Sequence, residues 1–130
     1  MARLNQEELL EIFNAVRQQM KPYEKGNLIA KFDIQGRYEL WSEHEVVIMG
    51  RKRTELAFVG IILQSSYVGF YYMPVYTNCD KVVNSLSPEF MKLLKGKSCF
   101  HIKKVDDALL KDVKAAMKVG LEVYKNNGWV

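Results

Sequence analysis

Cysteine is scarce in this 130-residue chain, with only Cys79 and Cys99 present. Their spacing fits neither a zinc-ligand pattern nor a Cys-x-x-Cys redox pair. Two unbridged thiols in a reducing compartment are expected. Long apolar runs are missing. Met1 to Glu8 is polar and acidic, which offers no signal peptide. No segment approaches the roughly 20 apolar residues a membrane span needs. A cytoplasmic location is the expectation. A dominant charge sign is missing too. Nineteen basic residues face fifteen acidic ones, a formal balance of +4. That surplus weakly favours an anionic partner, but there is no concentrated basic stripe to point to nucleic acid. Low-complexity stretches, internal repeats and interdomain linkers are also absent from the sequence.

What is present is an ordinary globular balance, 48% hydrophobic and 26% charged. A chain of this length fits one domain, residues 1–130, and can bury about two thirds of its unfolded surface without a disulfide or metal staple.

Periodicity divides the chain. Leu9, Ile12, Phe13, Val16 and Met20 recur at three- and four-residue steps, the pattern of one helix face. Asn5 and Glu8 can form a capping box, and Pro22 stops the helix near Met20 or Lys21. From Leu28 to Tyr76 the period is two. Leu28–Ile34, Arg37–Trp41 and Val46–Met49 read as strands, with Gly36 turning between the first two. Gly50–Thr54 reads as a basic connection. Leu56–Gln64 and Tyr67–Val75, parted by Ser65-Ser66, predict an antiparallel hairpin. Thr77–Ser85 reads as a loop or a short helical turn. Ser87-Pro88-Glu89 is a strong helix start, for a helix ending at Gly96. Ser98–Lys103 predicts a strand. Asp106 or Asp107 opens a last helix whose stripe is Leu110, Val113, Met117, Leu121 and Tyr124. The expectation is an α+β fold: an antiparallel sheet of four to six strands flanked by helices, in the order α, four or five strands, α, β, α.

Motifs with chemical content are few. Lys95-Gly96-Lys97-Ser98 resembles the end of a phosphate-binding loop. It lacks the first glycine and sits between a helix and a strand, the reverse of what phosphate cradling needs. Cys99 and His101 share a face of their predicted strand. They could serve as nucleophile and base or as two soft ligands, but both roles need a third partner that the sequence does not identify; Asp80, Glu39 and Cys79 qualify only if the fold brings them near. His44 lies in a charged turn and reads as a solvated histidine. Glu7, Glu8 and Glu11 favour a helix N-terminus. Arg51, Lys52 and Arg53 read as solvated surface.

The hairpin strands are apolar on both faces. Ala57, Val59, Ile61 and Leu63 oppose Leu56, Phe58 and Ile62, while Val68, Phe70 and Tyr72 oppose Tyr71, Met73 and Val75. A sheet covered on one side should alternate with polar residues. The second face is therefore expected to be covered by the chain, a ligand or a second copy, and a homodimer is one expectation.

Three segments carry a family likeness: Tyr67-Val68-Gly69-Phe70-Tyr71-Tyr72-Met73-Pro74-Val75-Tyr76, then Lys95 to Phe100, then Tyr124-Lys125 and Asn127-Gly128-Trp129. In these the chain resembles the YdhG-like family of uncharacterised bacterial proteins. The resemblance implies an α+β fold shared with secretion chaperones, and no established reaction. Some relatives have been likened to frataxin, an iron chaperone with an acidic ridge. Of that pattern only Glu7, Glu8 and Glu11 remain here, so no iron ligand is carried over.

The functional expectation is a non-enzymatic binding or chaperone-type module acting on a small molecule or protein, with Tyr72, Tyr76, Cys99 and His101 as binding residues. No catalytic residue, metal ligand or cofactor is assigned. A frataxin-like iron chaperone and a cysteine-dependent enzyme are the alternatives.

Overall fold

The computed structural model describes residues 5–43, 45–48, 50–77, 79–96 and 98–130; at 46, 48, 53, 76, 77 and 79 the description is of the backbone. His44, singled out above, lies outside these residues.

Helix α1, Gln6–Met20, opens with the predicted capping box: Asn5 Oδ1 accepts from the Glu8 amide at 2.8 Å, and the Glu8 carboxylate accepts from the Asn5 amide. All five residues of the predicted stripe are buried. Pro22 sits in a single 3-10 turn, Lys21–Tyr23, where its missing N–H costs nothing.

Among the described residues eight strands follow: β1 Leu28–Ile34, β2 Arg37–Ser42, β3 Val46–Ile48, β4 Arg51–Arg53, β5 Leu56–Leu63, β6 Val68–Tyr72, β7 Leu94–Lys95 and β8 Cys99–Ile102. Six make one antiparallel sheet in the order β1-β2-β5-β6-β8-β7. Strands β3 and β4 pair separately as a small ribbon between β2 and β5. The basic segment Arg51–Arg53 is thus a strand rather than a connection. It has an apolar partner strand, with Val46 opposite Arg53 and Ile48 opposite Arg51.

Helix α2, Met73–Thr77, begins where β6 was expected to continue. The missing donor of Pro74 ends ladder pairing, and proline is tolerated in a first helical turn. Helices α3, Cys79–Val83, and α4, Pro88–Met91, are short. Ser87 caps α4 as expected, but the helix lasts one turn instead of reaching Gly96. Leu94 pairs with Phe100, and Gly96, at φ +75°, turns β7 into β8. The loop that looked phosphate-binding is therefore a hairpin. Helix α5, Asp107–Asn126, is capped by Asp106. Its buried side is centred on Leu109, Val113, Ala116, Met117, Gly120 and Tyr124, with Leu110 and Leu121 only half buried. That is a small rotation from the predicted stripe. None of the helices among the described residues is long and apolar enough to cross a membrane.

Both long helices lie on one face of the sheet. Arg17 of α1 pairs with Asp33 and lies over the Tyr38 ring. Tyr124 of α5 packs on Phe58, its ring centroid 4.9 Å away. Phe90 of α4 stacks on Phe100 at 4.6 Å and meets Phe70 edge-on. The registers then assign every strand residue a side. Tyr38 faces Ile61 and Leu40 faces Val59; Ile61 faces Phe70 and Val59 faces Tyr72; Phe70 faces Phe100. All of these are buried beneath the helices.

Gly120 lets α5 approach this layer. A Cβ at that position would lie 2.9 Å from both the Tyr72 hydroxyl oxygen and Pro74 Cγ.

Candidate functional site

Among the described residues no long helix covers the opposite face of the sheet. Alternation sends Arg37, Glu39 and Trp41 of β2 to this side, and the registers set Glu39 against Gly60, Gly60 against Tyr71, Ile62 against Gly69, Gly69 against His101 and Tyr71 against Cys99. A bulge at Lys31 brings Lys31 and Phe32 of the edge strand to the same side.

The expected second apolar face is largely dismantled, for three reasons. A bulge in β5 leaves Phe58 as the extra residue between the Trp41–Ala57 and Leu40–Val59 pairs, which turns its side chain in against Tyr124. Met73 and Val75 leave the sheet in α2. Gly60 and Gly69 occupy two positions that would otherwise carry side chains. The face that remains open carries the rings of Phe32, Trp41, Tyr71 and His101 among Ile29, Ile34, Ala57 and Ile62.

Its side chains are held in pairs. The Arg37 guanidinium lies 3.6 Å from the Phe32 ring centroid, and Lys31 Nζ lies 4.2 Å from that of Trp41. Lys31 also pairs with Glu55. Glu39 takes two donors: Arg37 Nε donates to Oε2 at 2.5 Å and Trp41 Nε1 donates to Oε1 at 3.0 Å. The Glu39 side chain is only 13% exposed. It lies flat across Gly60, where a Cβ would come within 3.0 Å of its Cγ. The Tyr71 ring lies over Gly69 in the same way, with Cε2 only 2.9 Å from where a Cβ would stand. A glycine covered by an aromatic ring is a recurring device in sheets. Tyr67 and His101 stack at 3.8 Å.

A hollow of about 170 Å³ lies among Glu39, Trp41, Gly60, Ile62, Tyr71 and Met73, the last reaching it from the start of α2. A larger hollow separates α4 from the start of α5. Two of its three acids are engaged, Asp106 in capping α5 and Asp112 in accepting from Ser87, which leaves Glu89. The sheet-face hollow is the one where a carboxylate and aromatic rings converge.

The expected binding residues divide. Cys99 and His101 do share the open face. Cys99 is a free thiol beside Tyr71, and burial pushes its pKa up while a hydrogen bond from the Tyr71 hydroxyl opposes that shift. His101 is taken up by its stack on Tyr67 rather than turned to the thiol. Tyr72 is a correction. It is fully buried on the helix side, its hydroxyl donating to the Ala116 carbonyl at 2.6 Å, so it is a packing residue. Tyr76 lies in α2, and its side chain is outside the described residues.

Sequence reasoning missed Trp41 and offered Glu39 only as one possible third partner for Cys99 and His101. The alternation Arg37-Glu39-Trp41 was a signal, and so were glycines inside two apolar strands, which mark close approach of another group.

No protein-family model, curated protein or solved structure matches the chain. The site therefore has to be read from its own geometry. Among the described residues no group of three His, Cys, Asp or Glu side chains could hold a metal ion. Glu8 is spent in the capping box. A raised Cys99 pKa is the opposite of what an activated thiolate requires.

Proposed function

We propose that this protein is a binding module, without catalytic chemistry of its own, that works through the open face of its sheet. One observation carries the reading. The helices gather on one side, and the other side presents a hollow where Glu39, Trp41 and Tyr71 meet over Gly60. Apolar walls with a few placed polar groups are the usual make-up of a small-ligand site. The partner in this reading is a small molecule. A second copy is less favoured than the sequence implied, because Phe58 and Val75 are buried and Gly60 and Gly69 leave two positions of the open face without side chains. A cytoplasmic setting goes with the free thiol of Cys99. Membership of the YdhG-like group remains part of the proposal, supported by the three segments named above and by an α+β order that agrees with it. The cysteine-enzyme alternative has the shared face of Cys99 and His101 in its favour and the raised Cys99 pKa against it.

The test is a titration of the 15N-labelled protein with small planar fragments at millimolar concentration: phenol, indole and benzimidazole. Amide shifts should concentrate at Glu39, Trp41, Gly60 and Tyr71. Shifts confined to the α1 and α5 side, or none with any fragment, would refute the proposal.

A further inference from the structure

We infer that the hollow beside Glu39 selects a neutral, planar heteroaromatic ligand with two adjacent N–H donors on one edge, the amide-and-amine edge of guanine- and pterin-type rings. This rests on the open face being the binding surface. Three features support it.

The first is size. A cavity of about 150 Å³ holds one benzene ring. A hollow of about 170 Å³ that is open on one side suits a one- or two-ring plane with its substituents pointing outward.

The second is the acceptor. A carboxylate offers about four lone-pair sites. Trp41 uses one on Oε1 and Arg37 uses one on Oε2, so each oxygen keeps one. Two acceptors side by side match two parallel donors, the geometry that makes fork-shaped pairing both strong and selective. The Glu39 side chain is 13% exposed, so water competes poorly for those sites. Its charge is already balanced by Arg37. A cation would meet that guanidinium and be disfavoured, whereas a neutral donor edge would not.

The third is stacking. Tyr71 lies flat over Gly69 and so keeps one ring face turned outward, and Trp41 stands across the hollow. A plane lying on that outward face of Tyr71 gains aromatic contact while its edge turns toward Glu39. Gly60 lets the Glu39 side chain lie down against the sheet beside them.

Calorimetry on the full chain with four probes tests this: guanosine, inosine, adenosine and pterin. Inosine lacks the amine and adenosine presents no such donor edge. Guanosine and pterin should bind, and inosine should bind roughly tenfold more weakly than guanosine. Adenosine should give no measurable heat. Glu39→Gln should weaken guanosine by about tenfold or more. Gly60→Ala would set a methyl 3.0 Å from Glu39 Cγ and push the carboxylate out of place, so it should weaken guanosine binding as well. Circular dichroism and melting curves establish that both variants are folded. Binding by guanosine but not pterin, or the reverse, would narrow the ring type within the class and uphold the proposal. Equal affinity for guanosine, inosine and adenosine would overturn it, as would a folded Glu39→Gln protein with undiminished guanosine affinity. In either case fragment-induced shifts at Glu39 and Trp41 would leave the broader binding reading standing. No heat with any probe also overturns it, and the fragment titration then decides whether the face binds anything. Tight binding of a guanine-containing single strand, lost on Lys31→Ala but not on Glu39→Gln, would replace the small-molecule ligand by nucleic acid.

Discussion

Gly120→Ala sets two effects of opposite sign against each other. Gly120 lies inside α5, and an alanine there should favour the helix by about 1 kcal/mol on propensity alone. The structure opposes this gain. The new methyl would stand 2.9 Å from Pro74 Cγ, 2.9 Å from the Tyr72 hydroxyl and 3.1 Å from Tyr72 Cε1. None of these atoms is the end of a flexible chain. The proline ring is rigid, and the fully buried tyrosine is tethered to the Ala116 carbonyl. Overpacking of this kind costs about 1–3 kcal/mol, and displacing the Tyr72 hydroxyl forfeits a hydrogen bond worth about 1 kcal/mol. The balance is a net loss of about 1–3 kcal/mol, or a fall in Tm of about 3–12 °C for a domain of this size. Urea unfolding followed by circular dichroism measures it. Tyr72→Phe removes the oxygen that the methyl would strike. In that background the Gly120→Ala penalty should shrink, giving a coupling of about 1 kcal/mol in the double-mutant cycle. A Gly120→Ala protein more stable than the parent, or one with the same penalty in both backgrounds, would show that α5 does not rest on Tyr72.

Three further outcomes follow from the same packing. Phe58→Ala should cost about 3–5 kcal/mol because the ring is buried against Tyr124, whereas a loss under about 1 kcal/mol in denaturant unfolding would mean the bulge does not turn it inward. Hydrogen bonds from Tyr38 and then Lys21 hold the Glu24 carboxyl below its usual 4.5, and Arg17 does the same for Asp33 below 3.8. Their contribution is present above those ordinary values and lost as pH falls through the depressed ones; it is a fraction of a kcal/mol for such exposed pairs. The stability gap between the parent and a Glu24→Gln, Asp33→Asn protein should therefore close between about pH 5 and pH 2, and a gap that widens on acidification would contradict the pairing. Burial raises the Cys99 pKa above 9.0, so its alkylation rate should still be climbing at pH 9, and a plateau near neutral pH would return the cysteine-enzyme reading to consideration.

Legibility in the sequence followed the range of the interactions. Helix α1 could be read in full because its cap and stripe are local. The hairpin at Ser65-Ser66 and the Ser87 cap were legible for the same reason. The β5 bulge was not. Phe58 continues an apolar run, and nothing in that run says which residue slips out of register; pairing with β2 decides it. The stripe of α5 was misjudged by a small rotation because apolar residues occupy more than one side of the helix, so Leu109 and Val123 compete with Leu110 and Leu121. At the site, alternation correctly joined Cys99 to His101. Glu39 and Gly60 meet only through strand pairing across some 20 residues of sequence, and Tyr72 was misassigned because a buried tyrosine and a binding tyrosine look alike until the hydroxyl partner is known.

Trp41 offers the most direct test of the account. In a Trp129→Phe background it is the only tryptophan, and acrylamide quenching of its fluorescence reports whether the sheet face is open and whether a ligand covers it. The account predicts ready quenching that does not change with protein concentration and that falls when guanosine is added to saturation. Quenching that declines as the protein is concentrated would mean a second copy covers the face, and a Trp41 signal unaffected by guanosine would contradict a ligand site beside Glu39.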